Sequence, residues 1–273
     1  MTPEDGHEQR NQRQFDNLAA SYDRMGFLTL TAQFVADQVD VQAGQDVMDV
    51  MTGTGSVALA LAAKTSGTVR VVGTDLSDGM LGMARTRAAG VENVSFVQAD
   101  ATALPFGDAS FDVVVCASGL FFVPDMVAAL REWRRVVRPG GAVLYSSFGP
   151  GLLGTLPGLW RGRLGAHGVT PGFPPLGRIP TLDAARELLV AAGLEDVTVT
   201  RTDVPYVLAD VEQRWGDIEA GLEGQPLSAL SPDSRARVEA EHRAELAPLF
   251  ADGAVTVPLP VIVARGTRGQ SAS

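Results

Sequence analysis

The chain has 273 residues, 45% of them apolar, enough for one large domain or for a domain with a substantial lid over it. Its formal charge of −10 repels phosphate backbones and argues against nucleic acid as a partner. One cysteine, Cys116, rules out an internal disulfide, and three scattered histidines (His7, His167, His242) without an HExxH pattern argue against a metal site.

The opening MTPEDGHEQRNQRQ is polar and reads as a frayed tail over residues 1–14. It has no apolar signal core, and no apolar run in the chain reaches membrane-spanning length, so a cytoplasmic protein without membrane insertion is expected. Residues 15–39 follow a helical period, with Leu18, Tyr22, Met25, Leu28 and Phe34 at apolar positions; residues 1–40 thus form a tail and helical cover. Strands and helices then alternate through a core spanning 41–150. Strands are expected at 47–50, 69–75, 94–100, 111–117 and 142–148. Helices are expected at 56–64, from the Ser77 cap to about 89, and at 125–137 before a stop at Pro139-Gly140-Gly141. Near-continuous valine runs alternating with helices predict an α/β fold, a doubly wound, mostly parallel, Rossmann-like sheet.

Residues 149–180 break the pattern with a Gly-, Pro- and Leu-rich stretch too long for an ordinary connection, and 151–180 read as a lid insertion. A Thr181-capped helix stopped by Gly193 and a strand at 197–207 return to the core over 181–208. A second, mostly helical insertion spans 209–252, with a helix start at Ser231-Pro232. A final core strand at 255–265 and a short tail complete 253–273.

The loop DVMTGTG, Asp49 to Gly55, joins the first strand to the first helix, where doubly wound sheets bind their ligands. Glycine at 53 and 55 permits a sharp turn and a close ligand approach, and the helix N–H groups point into the same space. Gly53-x-Gly55-x-x-Ala58 matches the dinucleotide pattern, with Asp75 as the ribose-binding acid. Against that reading stand Asp49 before the glycines, a further acid, Asp100, at the third strand end, and no Tyr-x-x-x-Lys pair, since the only lysine is Lys64.

Taken together, VMDVMTGTG, VVGTDLSDGML, VQADATALPFGDASFDVVVCASGLFFVPD and EWRRVVRPGGAVLYSSF resemble class I S-adenosylmethionine-dependent methyltransferases, nearest to the ubiquinone and menaquinone biosynthesis branch. The resemblance is strong over 22–148 and implies a seven-stranded sheet with its last strand antiparallel. It also implies S-adenosylmethionine as cofactor and a small molecule as acceptor. The backbone of Asp49, Met51, Thr52, Gly53 and Gly55 would wrap the methionine part. Asp75 would accept from both ribose hydroxyls, and Leu76 and Met80 would flank the adenine or ribose. Asp100 and the Ala101 N–H would read the adenine edge. Residues Cys116, Ala117 and Ser118 would offer a carbonyl to the ammonium, and Tyr22 would cover the cofactor.

The chain departs from that family at Met51, usually a small residue, at Thr52, often cysteine, and at Phe122, where many relatives carry histidine. After the fourth strand it reads CASGLFF, not the Asn/Asp-Pro-Pro-aromatic signature of nucleobase methylation. Leu152, Leu153, Trp160, Phe173 and Leu176, with Phe121 and Phe148, either line a site for an apolar or aromatic acceptor or form a core for the lid itself. His167 and His242 are candidates for a base, and both read more simply as surface histidines. Two other functions stay open: a cofactor-binding module without turnover, and an NAD(P)-dependent oxidoreductase.

Overall fold

Five strands lie side by side in parallel, and the central valine-rich ones are buried on both faces. The computed structural model describes residues 3–170 and 175–270. The parallel strands are β1 (Asp46–Val50), β2 (Arg70–Asp75), β3 (Val94–Gln98), β4 (Phe111–Cys116) and β5 (Val137–Phe148). With β6 (Glu195–Leu208) and β7 (Val255–Thr267) they form one seven-stranded sheet of order β3-β2-β1-β4-β5-β7-β6. The last strand, β7, slots between β5 and β6 and runs antiparallel to both, as expected. Strand order reverses between β1 and β4, so the carboxyl ends of those strands open onto one crevice.

The helices follow from caps and apolar faces. In chain order they are α1 (Pro3–Leu18), α2 (Gly26–Gln38), α3 (Ser56–Lys64), α4 (Asp78–Arg87), α5 (Met126–Val136), α6 (Leu156–Ala166), α7 (Leu182–Ala191), α8 (Val211–Ala220) and α9 (Pro232–Leu246). Ser77, Asp125, Thr181, Asp210 and Ser231 each accept a backbone N–H of the first turn that follows. On α5 the residues Ala129, Leu130, Trp133 and Val136 form one buried stripe, and the Trp133 indole N–H donates to the Ala101 carbonyl 2.9 Å away. The single lysine, Lys64, donates to the carbonyls of Ala36, Asp37 and Val39 and so neutralises the C-terminal end of α2.

Two expectations are corrected. Residues 3–14 belong to α1 rather than to a frayed tail. A helix this polar holds because its C-terminal half is tethered: Asn11 donates to the Phe122 carbonyl, and Phe15 meets the Phe122 ring edge-on at 5.0 Å. Pro139-Gly140-Gly141 does not separate α5 from β5 but lies inside β5, at a register shift between β5 and β4. There the strand passes close to its neighbour, since a Cβ on Gly141 would stand 2.5 Å from the Asp112 carbonyl oxygen.

The two insertions meet above the sheet. Leu153 and Leu156 join the main core, while Trp160, Leu164, Trp215, Ile218, Leu227 and Val238 form a second, smaller core of their own from α6, α8, α9 and the turn at Leu222–Ala229. Among the described residues, no helix is long and apolar enough to cross a membrane.

Substituting Gly141→Ala should lower stability by about 1–3 kcal/mol, because the added methyl meets backbone that cannot yield. A thermal melt checks this; an unchanged melting temperature would mean β5 can shift at the Gly-Gly step.

Candidate active site

The β1–α3 loop turns through three residues with positive φ: Met51 (57°), Gly53 (57°) and Gly55 (82°). Two carboxylates hold it in that shape. Asp49, buried at the end of β1, accepts from the Thr52 hydroxyl at 2.5 Å and from the Ala58 N–H in the first turn of α3 at 3.1 Å. Asp75, at the end of β2, accepts from the Gly53 N–H and the Ser77 N–H, both at 2.9 Å. Asp49 therefore braces the loop from beneath. Burial pushes the Asp49 carboxyl up to about 7, against the two hydrogen bonds that favour its ionised form. Burial raises Asp75 as well.

Met51 is strained in the left-handed region, where only glycine is comfortable. Its side chain turns toward Gly119 and Cys116: a Cβ on Gly119 would stand 2.9 Å from both the Met51 Cβ and the Cys116 Sγ. The side chain fills the wall between the β1 and β4 ends and is half-buried there.

Tyr22 lies over the loop, with its ring 3.8 Å from where a Cβ of Gly53 would be. Burial and the nearby charges of Asp75 and Asp23 raise its pKa. Residues not singled out in the sequence fix this cover. Asp23 accepts from the Thr54 hydroxyl at 2.5 Å, and Arg87 on α4 donates to Asp23, to the Thr54 carbonyl and hydroxyl, and to Ser56. Asp16 of α1 accepts from the Ser77 hydroxyl and the Gly79 N–H. Asp23 adjoins the motif-like Tyr22; Asp16 and Arg87 lie on solvent-facing positions of their helices, where sequence periodicity carries no signal.

The remaining expected residues are placed unequally. Leu76 and Asp100 are half-buried beside the strand ends, and Asp100 accepts from the Thr102 N–H and hydroxyl, both at 2.8 Å. Ala101 is nearly buried. Met80 is buried at 1% exposure in the first turn of α4. Cys116 is fully buried, which raises its thiol pKa and leaves it a small apolar residue. Ala117 and Ser118 are half-buried at the crevice, and the Ser118 N–H donates to the Ser146 hydroxyl at 3.0 Å.

Two cavities meet here. A small one, about 50 Å³, is bordered by Asp49, Met51, Thr52, Gly53, Ala117 and Ser118, with Tyr22 and α2 opposite. A large one, about 720 Å³, lies under the two insertions among Phe15, Phe27, Phe121, Phe122, Phe148 and Leu152. Tyr22, Leu28 and Ser118 border both. Trp160 serves both alternatives raised by the sequence: it is packed in the small lid core, T-shaped against Trp215 at 5.8 Å, and it also borders the large cavity. Phe173 lies outside the described residues.

Neither histidine is placed as a base. His167 Nε2 pairs with Glu241 at 2.8 Å at the end of α6. His242 is buried, not exposed, with its ring 4.9 Å from Trp160, and burial lowers its pKa. Among the described residues neither of the two borders the large cavity. The cavity does hold a carboxylate that the sequence did not signal, Asp217 on α8.

A model of the ubiE/COQ5 methyltransferase family matches residues 4–150. The demethylmenaquinone methyltransferase of Staphylococcus aureus (strain MRSA252) is 36% identical over 150 residues, which are 53% of this chain and 62% of that protein. The match thus spans under two thirds of that relative's length. Among solved structures, the YcgJ protein of Bacillus subtilis superposes with a TM-score of 0.57 at 22% identity, covering 88% of this chain and 99% of that one. Phosphoethanolamine N-methyltransferase 2 of Haemonchus contortus, solved with phosphomonomethylethanolamine and S-adenosylhomocysteine, gives 0.52 at 20% identity, covering 85% and 50%. At these identities the two structures show a shared fold.

Two measurements probe the loop. Met51→Gly should leave cofactor affinity within about tenfold and the melting temperature little changed, because relief of about 1–2 kcal/mol of left-handed strain offsets part of the lost packing. A large fall in stability at unchanged affinity would make Met51 a core residue. Asp49 supplies a pH test. An unfolded aspartate titrates near about 4, whereas the folded one holds its proton up to about 7. The folded state therefore binds more protons between those values, and stability from this group is full below the lower value and lost as pH rises through the upper. Asp49→Asn should flatten that decline in melts from pH 4 to 8; an unaltered slope would place the titration elsewhere.

Proposed function

The chain belongs to the ubiE/COQ5 methyltransferase family, and on that premise we propose that it transfers a methyl group from S-adenosylmethionine to a small aromatic acceptor of the quinol class. The observation that carries this reading is the meeting of the two cavities at Tyr22, Leu28 and Ser118. One adjoins the glycine loop and suits the methionine end of the cofactor; the other is roomy, apolar and lined by phenylalanines, and suits a ring. The 36% identity to a demethylmenaquinone methyltransferase supports the acceptor class.

The residues present fit the cofactor. Each Asp75 oxygen accepts one backbone N–H and keeps a lone pair for one hydroxyl of a vicinal diol. The positive-φ loop turns its backbone toward the crevice, and Tyr22 lies over it. In this reading the Asp49–Gly55 backbone holds the methionine part, and Asp75 holds the ribose. Leu76, Asp100 and Ala101 border the adenine, and residues 116–118 face the ammonium. When bound, the sulfonium supplies an already activated methyl group, so the chain's work is alignment and exclusion of water. Tyr22 and the 3₁₀ turn around it, clamped by Asp23, Thr54 and Arg87, do the excluding on one side. Residues 41–150, 181–208 and 253–273 make up the cofactor-holding core, and 1–40, 151–180 and 209–252 make up its roof. The net charge of −10 speaks for a small-molecule acceptor rather than nucleic acid, and a cytoplasmic setting goes with the single buried cysteine.

Calorimetry should show binding of S-adenosylmethionine and S-adenosylhomocysteine and no heat from NAD or NADP. Asp75→Ala should weaken cofactor binding about 10- to 100-fold, since hydrogen bonds to a charged group contribute about 1.5–3 kcal/mol. Tight NAD binding without heat from S-adenosylmethionine would reverse the reading, and an unchanged affinity would remove Asp75 from the site.

A further inference from the structure

The large cavity is walled mostly by aromatic and aliphatic side chains, with Gln14, Ser118, Arg161, Glu223 and Gln225 also on its border, and Asp217 of α8 borders it at 3% exposure. An isolated buried carboxylate is costly unless its oxygens are satisfied. One oxygen is. The Gln213 amide donates to the Tyr206 hydroxyl at 3.1 Å, and that hydroxyl donates to Asp217 Oδ2 at 3.0 Å. The chain of donors runs one way and leaves the carboxylate as its terminal acceptor. The second oxygen, Oδ1, is buried with no hydrogen-bond partner. The other charged side chains beside it answer to each other: Arg214 pairs with Glu223 at 2.8 Å, and both lie near enough to Asp217 to act on its charge. Burial raises the Asp217 carboxyl, against Tyr206, Arg214 and the Gly26 N–H at the start of α2, which favour its ionised form.

Position adds to this. The Ser21 hydroxyl donates to the Ala220 carbonyl, which seats α8 on the segment leading into Tyr22. Gly26 lies four residues beyond Tyr22 and two before Leu28, and those two residues border both cavities. Asp217 therefore borders the large cavity beside the segment that carries Tyr22 and Leu28. Resting on the methyltransferase reading above, we propose that Asp217 is the acceptor-binding carboxylate of this enzyme, its Oδ1 taking the hydrogen bond of an aromatic hydroxyl whose ring lies among the phenylalanines. Tyr206 positions it through Oδ2. The phenylalanine walls hold the ring without choosing its rotation; the hydroxyl-to-Asp217 bond sets which ring edge faces the junction. A wholly apolar molecule of the same size would leave Oδ1 buried and unsatisfied, so the cavity discriminates in favour of a donor.

The test is calorimetry under reducing, oxygen-free conditions in the presence of S-adenosylhomocysteine, with 1,4-naphthohydroquinone and its dimethyl ether as probes. Wild type should bind the hydroquinone more tightly than the ether. Asp217→Asn keeps the shape, but its amide oxygen stays with Tyr206 and its NH2 group turns a donor toward the ligand. It should lose about 10- to 100-fold in hydroquinone affinity, with ether binding and S-adenosylhomocysteine affinity unchanged. Asp217→Ala should behave the same way, and a melt of each variant confirms the fold. Equal losses for both probes, or an unchanged hydroquinone affinity in Asp217→Asn, would overturn the proposal. So would a wild type that binds S-adenosylhomocysteine but not the hydroquinone. Failure to bind S-adenosylhomocysteine at all would instead strike the methyltransferase reading.

Discussion

The hydrogen bond from the Gly53 N–H to the Asp75 carboxylate ties the first turn of the nucleotide-type crevice to the second. Without it the β1–α3 loop, with three residues at positive φ, would have no partner for its central amide on that side. The same carboxylate reaches the Ser77 N–H, and Ser77 caps α4 and bonds to Asp16 of α1. One side chain thus sets the loop, the start of α4 and the seat of the N-terminal helix. That arrangement leaves little slack. The half-buried Met51 keeps a strained backbone because Asp49 and Asp75 brace the turn from two sides.

What lies over the crevice depends on that frame. The Tyr22–Arg24 turn is clamped to the loop by Asp23, Thr54 and Arg87. Helix α8 then rests on that turn through Ser21, and α6 and α9 rest on α8 through the small tryptophan-containing core. The roof is a stack in which each layer is positioned by the one beneath it.

The sheet was legible because Val-rich runs such as FDVVVC have no stable place except between two covering layers, and the end-of-strand acids Asp75 and Asp100 stand out against them. Ser77 and Thr181 announced their helices by cap chemistry and Ser231-Pro232 by its proline, and the structure uses Ser77, Thr181 and Ser231 as caps. The helix over residues 3–14 was not legible, since nothing in a polar segment shows that Phe122 and Ser77 will tether its far end. The two histidines looked like surface residues because the pairing of α6 with α9 joins segments about seventy positions apart. Asp217 reads as one more acid on a helix until Tyr206 and the cavity are placed beside it.

The small core of the roof has a spectroscopic consequence. The chain has three tryptophans, and two of them, Trp160 and Trp215, stack edge-on within that core, while Trp133 is buried beneath the sheet's own helix layer. Two of the three tryptophan emitters thus report on the roof. An unfolding curve followed by emission and one followed by circular dichroism report different parts of the molecule. They coincide only if roof and sheet come apart together.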